Sequence, residues 1–228
     1  MHDFEKTWRR KFSRHLETRA GAEARDQVLT GITDPDQPDG DLNVLDWTCE
    51  VLLRMQDTLD NPCCRNVMTD CACHYPAEQL EPLKMLYART GDLAGVHQAL
   101  QDQFESFLRQ TLDLEEDMIA EVVSLGWGAA GTLEQNRIVA TKIPKSGYLK
   151  QYLQESDPDV RRSIYCHCPR IREAVGSGDE IPQIYCYCGA GFYKNMWETI
   201  LNEALEVEVL ESVLSGGDVC RVAVILPA

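Results

Sequence analysis

The C-terminal end of the chain constrains its fold most. Two runs rich in β-branched residues, Val207–Val213 and Val219–Leu226, are separated by the short connection Leu214-Ser215-Gly216-Gly217-Asp218. Apolar runs joined by a few residues that include glycine are typical of a β-hairpin. The chain is therefore expected to end in two antiparallel strands.

The first half of the chain has a helical pattern instead. Phe4, Trp8, Phe12 and Leu16 recur at steps of four and mark one apolar face of a helix over roughly residues 3–30. A second helix is predicted from a capping Asp41 to about residue 59. Further helices are predicted over 77–89, from 92 onward with an apolar period to 107, and over about 114–125. The stretch from 61 to 74 has no clear period and is expected to be irregular.

The pattern changes after about residue 135. Arg137–Ile143, Ser163–Cys168 and Ile181–Cys188 are interpreted as strands, and Ala190–Glu203 as an amphipathic helix. The predicted fold class is α+β, with a helical N-terminal half followed by an antiparallel sheet and a packed helix, as in ligand-binding domains. Residues 1–135, with a cysteine-rich loop at 61–74, and residues 136–228 are expected to form one integrated domain.

Charge and cysteine content limit the classes of function. The net charge of −15 argues against a nucleic-acid partner, which needs a basic surface. No apolar run is long enough for a membrane span, and the charged N-terminus lacks the apolar core of a signal peptide, so a cytoplasmic location is expected. Ten cysteines in a reducing compartment favour metal binding or redox chemistry over structural disulfides.

Two Cys-x-Cys pairs carry the strongest functional signal. Cys166 and Cys168 form one pair, and Cys186 and Cys188 form the other. If both pairs lie on strands, the two thiols of each pair point to the same face, and neighbouring strands would gather four thiols in one patch. Such a patch suits a soft metal, and Cys220 on the last strand could add a fifth ligand. Zinc is the expected cofactor; iron, an iron–sulfur cluster, or no cofactor and buried structural thiols are the alternatives.

Cys188 also has the features of a nucleophile. It stands where a strand is expected to pass into a helix through Gly189-Ala190-Gly191, and the amides and dipole of a helix start lower the pKa of a thiol. His167 would be the base if it lay across the sheet. The alternative is a tight turn that needs glycine for its backbone alone.

Two weaker groupings complete the candidate sites. A second metal or redox cluster is suggested by five soft ligands in a short segment: Cys63, Cys64, Cys71, Cys73 and His74. Aromatic side chains near the second Cys-x-Cys pair are candidates for a ligand pocket, with core packing as the alternative: Tyr185, Tyr187, Phe192 and Trp197.

The C-terminal third, roughly residues 184–227, resembles the 4-vinyl reductase domain family of small-molecule-binding modules. The similar motifs are Cys188-Gly189-Ala190-Gly191-Phe192, Val207-Glu208-Val209 and Gly216-Gly217-Asp218-Val219-Cys220. The segment is most similar to a cysteine-rich bacterial branch related to the 2-aminothiazoline-4-carboxylate hydrolase-like proteins. In that branch a Cys-Cys segment is expected in the helical half, where this chain has Cys63-Cys64.

This resemblance implies an α+β ligand-binding fold that is often dimeric. In phenol-sensing relatives a structural zinc is held near the hairpin by cysteines and a glutamate. Of these ligands Cys220 carries over. The upstream cysteine position falls near Ser212, and the glutamate would be Glu208 or Glu211.

The leading hypothesis is a cytoplasmic protein that binds a small molecule or a metal ion, with a thiolate zinc site. A hydrolase of a small cyclic amide or thiazoline, using Cys188 or a metal-bound water, is the main alternative. A thiol redox sensor is the third. A small-molecule ligand and a second copy of the chain are the expected partners, with no nucleic acid and no membrane.

Overall fold

A computed structural model describes residues 2–32, 43–177 and 180–227 of the chain. It has the predicted α+β architecture, beginning with seven helices in the described part of the N-terminal half. These are α1 (His2–Ala20), α2 (Ala22–Leu29), α3 (Val44–Thr58), α4 (Asn61–Asp70), α5 (Ala77–Thr90), α6 (Leu93–Gln110) and α7 (Glu116–Ser124). The predicted capping residue Asp41 lies outside the described residues; within them, the Asn43 side chain caps α3.

The C-terminal part combines strands and helices. Its elements are β1 (Thr132–Glu134), β2 (Arg137–Thr141), α8 (Leu149–Gln154), α9 (Pro158–Tyr165), α10 (Arg172–Ser177), α11 (Cys186–Leu201), β3 (Glu206–Glu211) and β4 (Arg221–Ile225). The four strands form one antiparallel sheet in the order β1-β2-β4-β3. The predicted C-terminal hairpin is confirmed as β3 and β4.

The apolar stripe of the first segment faces the core as predicted. Trp8, Phe12 and Leu16 are buried, and the Trp8 ring stacks on Tyr185 with centroids 5.8 Å apart. The predicted single helix is two, because Gly21 adopts a left-handed φ of 89° between α1 and α2. This break lets α2 fold back along α1 and pack against α3.

Helix α11 joins the two parts of the chain. It packs against α4 and α5 on one side and against β3 and β4 on the other. Gly191 permits the contact with α4, since a β-carbon there would lie 2.1 Å from the Thr69 carbonyl oxygen. One continuous core therefore includes side chains from α1 through β4.

Two of the predicted strands are wrong. Ser163–Cys168 covers the last turn of α9 and the loop after it, and Ile181–Cys188 covers a 3₁₀ turn that leads directly into α11. Asp157 caps α9 with its side chain, and Pro158 occupies the first helical turn, so local capping favours helix there. Most of the aromatic and β-branched residues that suggested strands instead belong to α9, to the 3₁₀ turn or to α11.

The predicted irregular segment at 61–74 is also largely helical. The Asp60 side chain accepts a hydrogen bond from the Cys63 amide, and Pro62 lies in the first turn, so α4 begins with a well-formed cap. Only the residues after Asp70 leave the helix. No helix in the described ranges is long and apolar enough to cross a membrane.

Candidate functional site

The two cysteines of the second Cys-x-Cys pair, Cys186 and Cys188, point in different directions. On α11, residues two apart are rotated by about 200° around the helix axis. Cys186 therefore faces the hairpin, where its Sγ lies 3.0 Å from the Ser212 Oγ. Cys188 lies on the other side of the helix, toward Trp8 of α1. The expectation that paired thiols share one face of a strand is wrong for this reason.

The segments that carry Cys166, Cys186 and Cys220 meet at the hairpin. The hydroxyl of Tyr165, which precedes Cys166, accepts from the Cys220 amide at 2.9 Å, and Cys186 contacts Ser212 in the connection that leads to Cys220. That these cysteines form one site stays a prediction. Cys168 couples to Cys166 and to Cys188. We call Cys166, Cys168, Cys186, Cys188 and Cys220 the thiol cluster. All five are free thiols.

Burial is the main influence on these thiols. Burial, together with the neighbouring thiols, raises the pKa of Cys166, Cys186 and Cys188 to about 12. Burial also raises the pKa of Cys220. At neutral pH Cys166, Cys186, Cys188 and Cys220 therefore hold their protons, since the cost of burying a thiolate exceeds the effect of the nearby Lys142 charge.

Lys142 is the cation that acts on the largest number of cluster thiols. Its charge lowers the pKa of Cys166, Cys186, Cys188 and Cys220. Its Nζ lies over the first turn of α11, 3.4 Å from the position that a Gly189 β-carbon would occupy. The lack of a side chain at Gly189 thus lets the lysine ammonium approach the first turn of α11.

Hydrogen bonds fix the backbone around the cluster. The Lys142 amide donates to the Cys220 carbonyl at 2.9 Å. The buried Tyr165 hydroxyl donates to the Lys142 carbonyl at 2.5 Å and accepts from the Cys220 amide at 2.9 Å. Cys168 Sγ shares a hydrogen bond of 3.1 Å with the Tyr185 hydroxyl. The end of β2, the start of β4 and the loop after α9 are therefore tied together at the site.

The predicted catalytic pair lies in surroundings that disfavour the required charges. Cys188 needs to be a thiolate, but burial raises its pKa to about 12. His167 is on an exposed loop next to the Pro144 carbonyl, where partial burial of the ring, followed by the charges of Lys142 and Arg172, lowers its pKa to about 4. His167 does not lie on a sheet, so the geometry that suggested it as the base is absent. The catalytic roles of Cys188 and His167 stay a prediction.

The second predicted cluster is divided by α4. Cys63 and Cys64 lie in its first turn and Cys71 follows its last residue, which separates them by about 12 Å along the axis. The Cys64 thiol donates to the Met55 carbonyl at 3.5 Å, inside the helical core. Cys71 and Cys73 lie instead within electrostatic reach of Cys188. The exposed His74 follows Cys73, so this end of the segment borders the thiol cluster.

The aromatic residues proposed for a pocket belong to the packed interior. Tyr185, Tyr187 and Trp197 are buried, and the half-buried Phe192 packs on Tyr75 with centroids 5.9 Å apart. Their role in binding a ligand stays a prediction.

A buried ion pair beside the cluster could not be read from the sequence. Arg170, 5% exposed, donates two hydrogen bonds of 2.5 and 2.9 Å to the Glu5 carboxylate and a third, of 3.0 Å, to the Thr48 hydroxyl. Its guanidinium lies 3.7 Å from the Trp8 ring centroid and 3.4 Å from the Tyr185 hydroxyl. Glu5 and Arg170 are 165 positions apart, so no local pattern signals the pair.

The remaining predicted metal ligands lie at the hairpin. Glu208 is exposed on β3, opposite Ala223 of β4. Glu211 is half-buried, and its Oε1 accepts from the Asp218 and Val219 amides at 3.0 and 3.3 Å, which closes the hairpin connection. In the described parts of the chain, no three or more His, Cys, Asp or Glu side chains are grouped so that they could hold a metal ion as they stand.

Residues 153–228 match the model of DUF6144, a family of unknown function. This segment includes every cysteine of the thiol cluster, whereas Lys142 and the α1 residues that pack beside it lie outside the match. No curated protein and no solved structure shows significant similarity to the chain.

Proposed function

We propose that the chain binds a thiophilic metal ion, most simply zinc, through the thiol cluster. The observation that carries this proposal is that the three segments bearing Cys166, Cys186 and Cys220 meet: the Tyr165 hydroxyl accepts from the Cys220 amide at 2.9 Å, and the Cys186 Sγ lies 3.0 Å from the Ser212 Oγ in the hairpin connection before Cys220. Thiolate sulfur is the ligand type that zinc takes in structural sites.

The protonation state of the cluster supports the same chemistry. A group of thiols whose pKa values are raised by burial and by one another is costly to ionise without a cation. A divalent ion that replaces the protons removes this cost, which couples binding to proton release. The Ser212 and Tyr185 hydroxyls, next to Cys186 and Cys168, are suited to donate to the resulting thiolates.

The proposed ligands are Cys166, Cys186 and Cys220, with Cys168 or Cys188 as the fourth. Cys186 would take the role that the resemblance gives to a cysteine near Ser212. Binding requires these side chains to turn toward a common point, and the loop after α9 and the residues before β4 leave room for that adjustment because neither is within a helix or a strand.

Elemental analysis and calorimetry of the reduced protein test the proposal. We expect about one zinc per chain, as in a single tetrahedral site. Its affinity should rise with pH throughout the neutral range, because thiols with pKa values of about 12 must lose protons to bind. Titration in two buffers of different ionisation enthalpy counts the protons released, and we expect at least two.

Serine variants identify the ligands. Cys186→Ser and Cys220→Ser should each weaken zinc binding by about 100-fold or more. Mutation of a residue that only hydrogen-bonds to a metal ligand lowers affinity by about 10- to 100-fold, and loss of a ligand itself should cost at least as much. Cys63→Ser is the matched control, because Cys63 is a half-buried thiol that bonds to the Arg19 carbonyl, away from the cluster. The proposal would be refuted if the reduced protein did not bind zinc, or if Cys63→Ser weakened zinc binding as much as Cys186→Ser and Cys220→Ser do.

A further inference from the structure

Several cationic side chains lie beside the first turn of α11 and the loop after α9. Lys142 and Lys145 belong to the segment between β2 and α8, and the Lys142 ammonium lies over the first turn of α11, whereas Arg172 donates to the His167 carbonyl at 3.1 Å. The Arg172 guanidinium and the Lys145 ammonium both approach the Tyr148 ring, at 5.3 and 5.9 Å from its centroid. We call Lys142, Lys145 and Arg172 the basic patch.

The patch is uncompensated in an acidic protein. Within residues 2–32, 43–177 and 180–227, no carboxylate lies at ion-pair distance from Lys142, Lys145 or Arg172. Several arginines elsewhere on the surface pair with carboxylates, among them Arg19–Asp70, Arg25–Glu17, Arg54–Glu50, Arg109–Glu116 and Arg137–Glu134, whereas the patch brings three cations without such a partner in the described ranges to one place. With 37 acidic residues against 22 basic ones, three unpaired cations on one surface indicate a local preference for an external anion.

The cations are held in place by the fold. Arg172 donates from Nε to the Cys166 carbonyl at 2.6 Å and from Nη2 to the His167 carbonyl at 3.1 Å, which leaves its other N–H groups available. Lys142 is fixed through its backbone to Cys220. Lys145 is exposed, whereas Lys142 is half-buried. The patch is therefore open to solvent on one side and lined by a sheltered ammonium on the other.

We propose that the basic patch binds a small tetrahedral oxyanion, such as a phosphoryl or sulfate group, next to the thiol cluster. Such a group offers several acceptor oxygens, which match one guanidinium and two ammonium groups approaching from different elements. The positive end of the α11 dipole, near Lys142 and Gly189, adds to the attraction.

Titration of the full-length reduced protein with inorganic phosphate, followed by amide NMR shifts, tests the proposal. Sodium chloride keeps the ionic strength constant, so that general screening is the same at every point. We expect saturable shifts confined to residues 142–148, 166–172 and the start of α11. A short-chain phosphate monoester measured in parallel distinguishes a phosphorylated organic ligand from free phosphate, and acetate should bind more weakly than either.

Charge-neutralising variants assign the site. Lys145→Gln and Lys142→Gln should each weaken phosphate binding by about tenfold, the effect of losing one charge-assisted contact. Lys84→Gln on α5 removes the same charge outside the patch and should leave binding unchanged. Because Lys145 is exposed and is not among the cations that act on the thiols, its variant should keep the metal content of the parent chain. Shifts that do not saturate, or a Lys84→Gln variant that weakens binding as much as Lys145→Gln, would overturn the proposal.

Discussion

Burial of the Cys188 thiol sets the reactivity expected of it. The thiolate is the nucleophilic form, and a pKa of about 12 leaves only a trace of thiolate at neutral pH. With iodoacetamide at pH 7.5, we expect the exposed Cys73 to be modified first and Cys188 to react at least about 100-fold more slowly. Mass spectrometry of the separated peptides measures both rates in one sample. All ten cysteines should react at similar rates once the chain is denatured, which controls for peptide recovery.

Rapid and selective alkylation of Cys188 would contradict this expectation. It would show that a cation or a helix-start amide stabilises the thiolate more than burial destabilises it. The hydrolase hypothesis, in which Cys188 attacks a cyclic amide or thiazoline, would then gain direct support. Slow alkylation, in contrast, agrees with a thiol that is deprotonated only when a metal ion replaces its proton.

The crossing of α11 over α4 depends on a single glycine. A β-carbon at Gly191 would lie 2.1 Å from the Thr69 carbonyl oxygen and 2.7 Å from the Thr69 carbonyl carbon. Because these are backbone atoms of a buried helix, they cannot move away cheaply, and we expect Gly191→Ala to cost about 1–3 kcal/mol of unfolding free energy. Gly189→Ala in the same helix is the control, since its β-carbon would meet only the flexible end of Lys142. Alanine favours helix over glycine by about 1 kcal/mol, so this variant should be neutral or stabilising in urea denaturation. Equal stability of the two variants would show that α11 can shift away from α4.

Capping and long-range packing explain which elements the sequence could predict. The C-terminal hairpin and helices such as α6 were predictable, because two long β-branched runs and a sustained 3.6-residue period leave little ambiguity. The stretches Ser163–Cys168 and Ile181–Cys188 were not, because short runs of aromatic and β-branched residues fit a buried helix as well as a strand. The cap formed by Asp157 and Pro158 was the local signal that favours helix.

The geometry of the thiol cluster could not be predicted from the sequence. Spacing marked four of its cysteines, and a predicted strand added Cys220, whereas in the structure a helix sends Cys186 toward Ser212 and Cys188 toward Trp8. Their joint role as metal ligands stays a prediction. The nearby Lys142 carries no motif and could be recognised only once β2 and β4 were paired. Contacts between residues far apart in sequence thus supply the charge around the site.

The site and its surroundings depend on both parts of the chain. The family match begins at residue 153, yet Trp8 and Glu5 of α1 pack against Tyr185 and Arg170 of the C-terminal region. An isolated C-terminal fragment would leave the Arg170 charge without its buried carboxylate, a loss of about 3–5 kcal/mol in comparable buried pairs. It would also expose the face of α11 that packs on α4 and α5.

We therefore expect the fragment 136–228 not to fold cooperatively on its own. Its urea denaturation, followed by circular dichroism, should lack the sigmoidal transition expected of the full chain, because the buried faces of α11 and the Arg170 side chain would meet water. Adding a separately produced fragment 1–135 should restore a transition if the missing contacts are the cause. A fragment 136–228 that unfolds cooperatively alone and binds zinc would instead show two domains, with the thiol cluster complete in the second and the contacts of α1 dispensable to it.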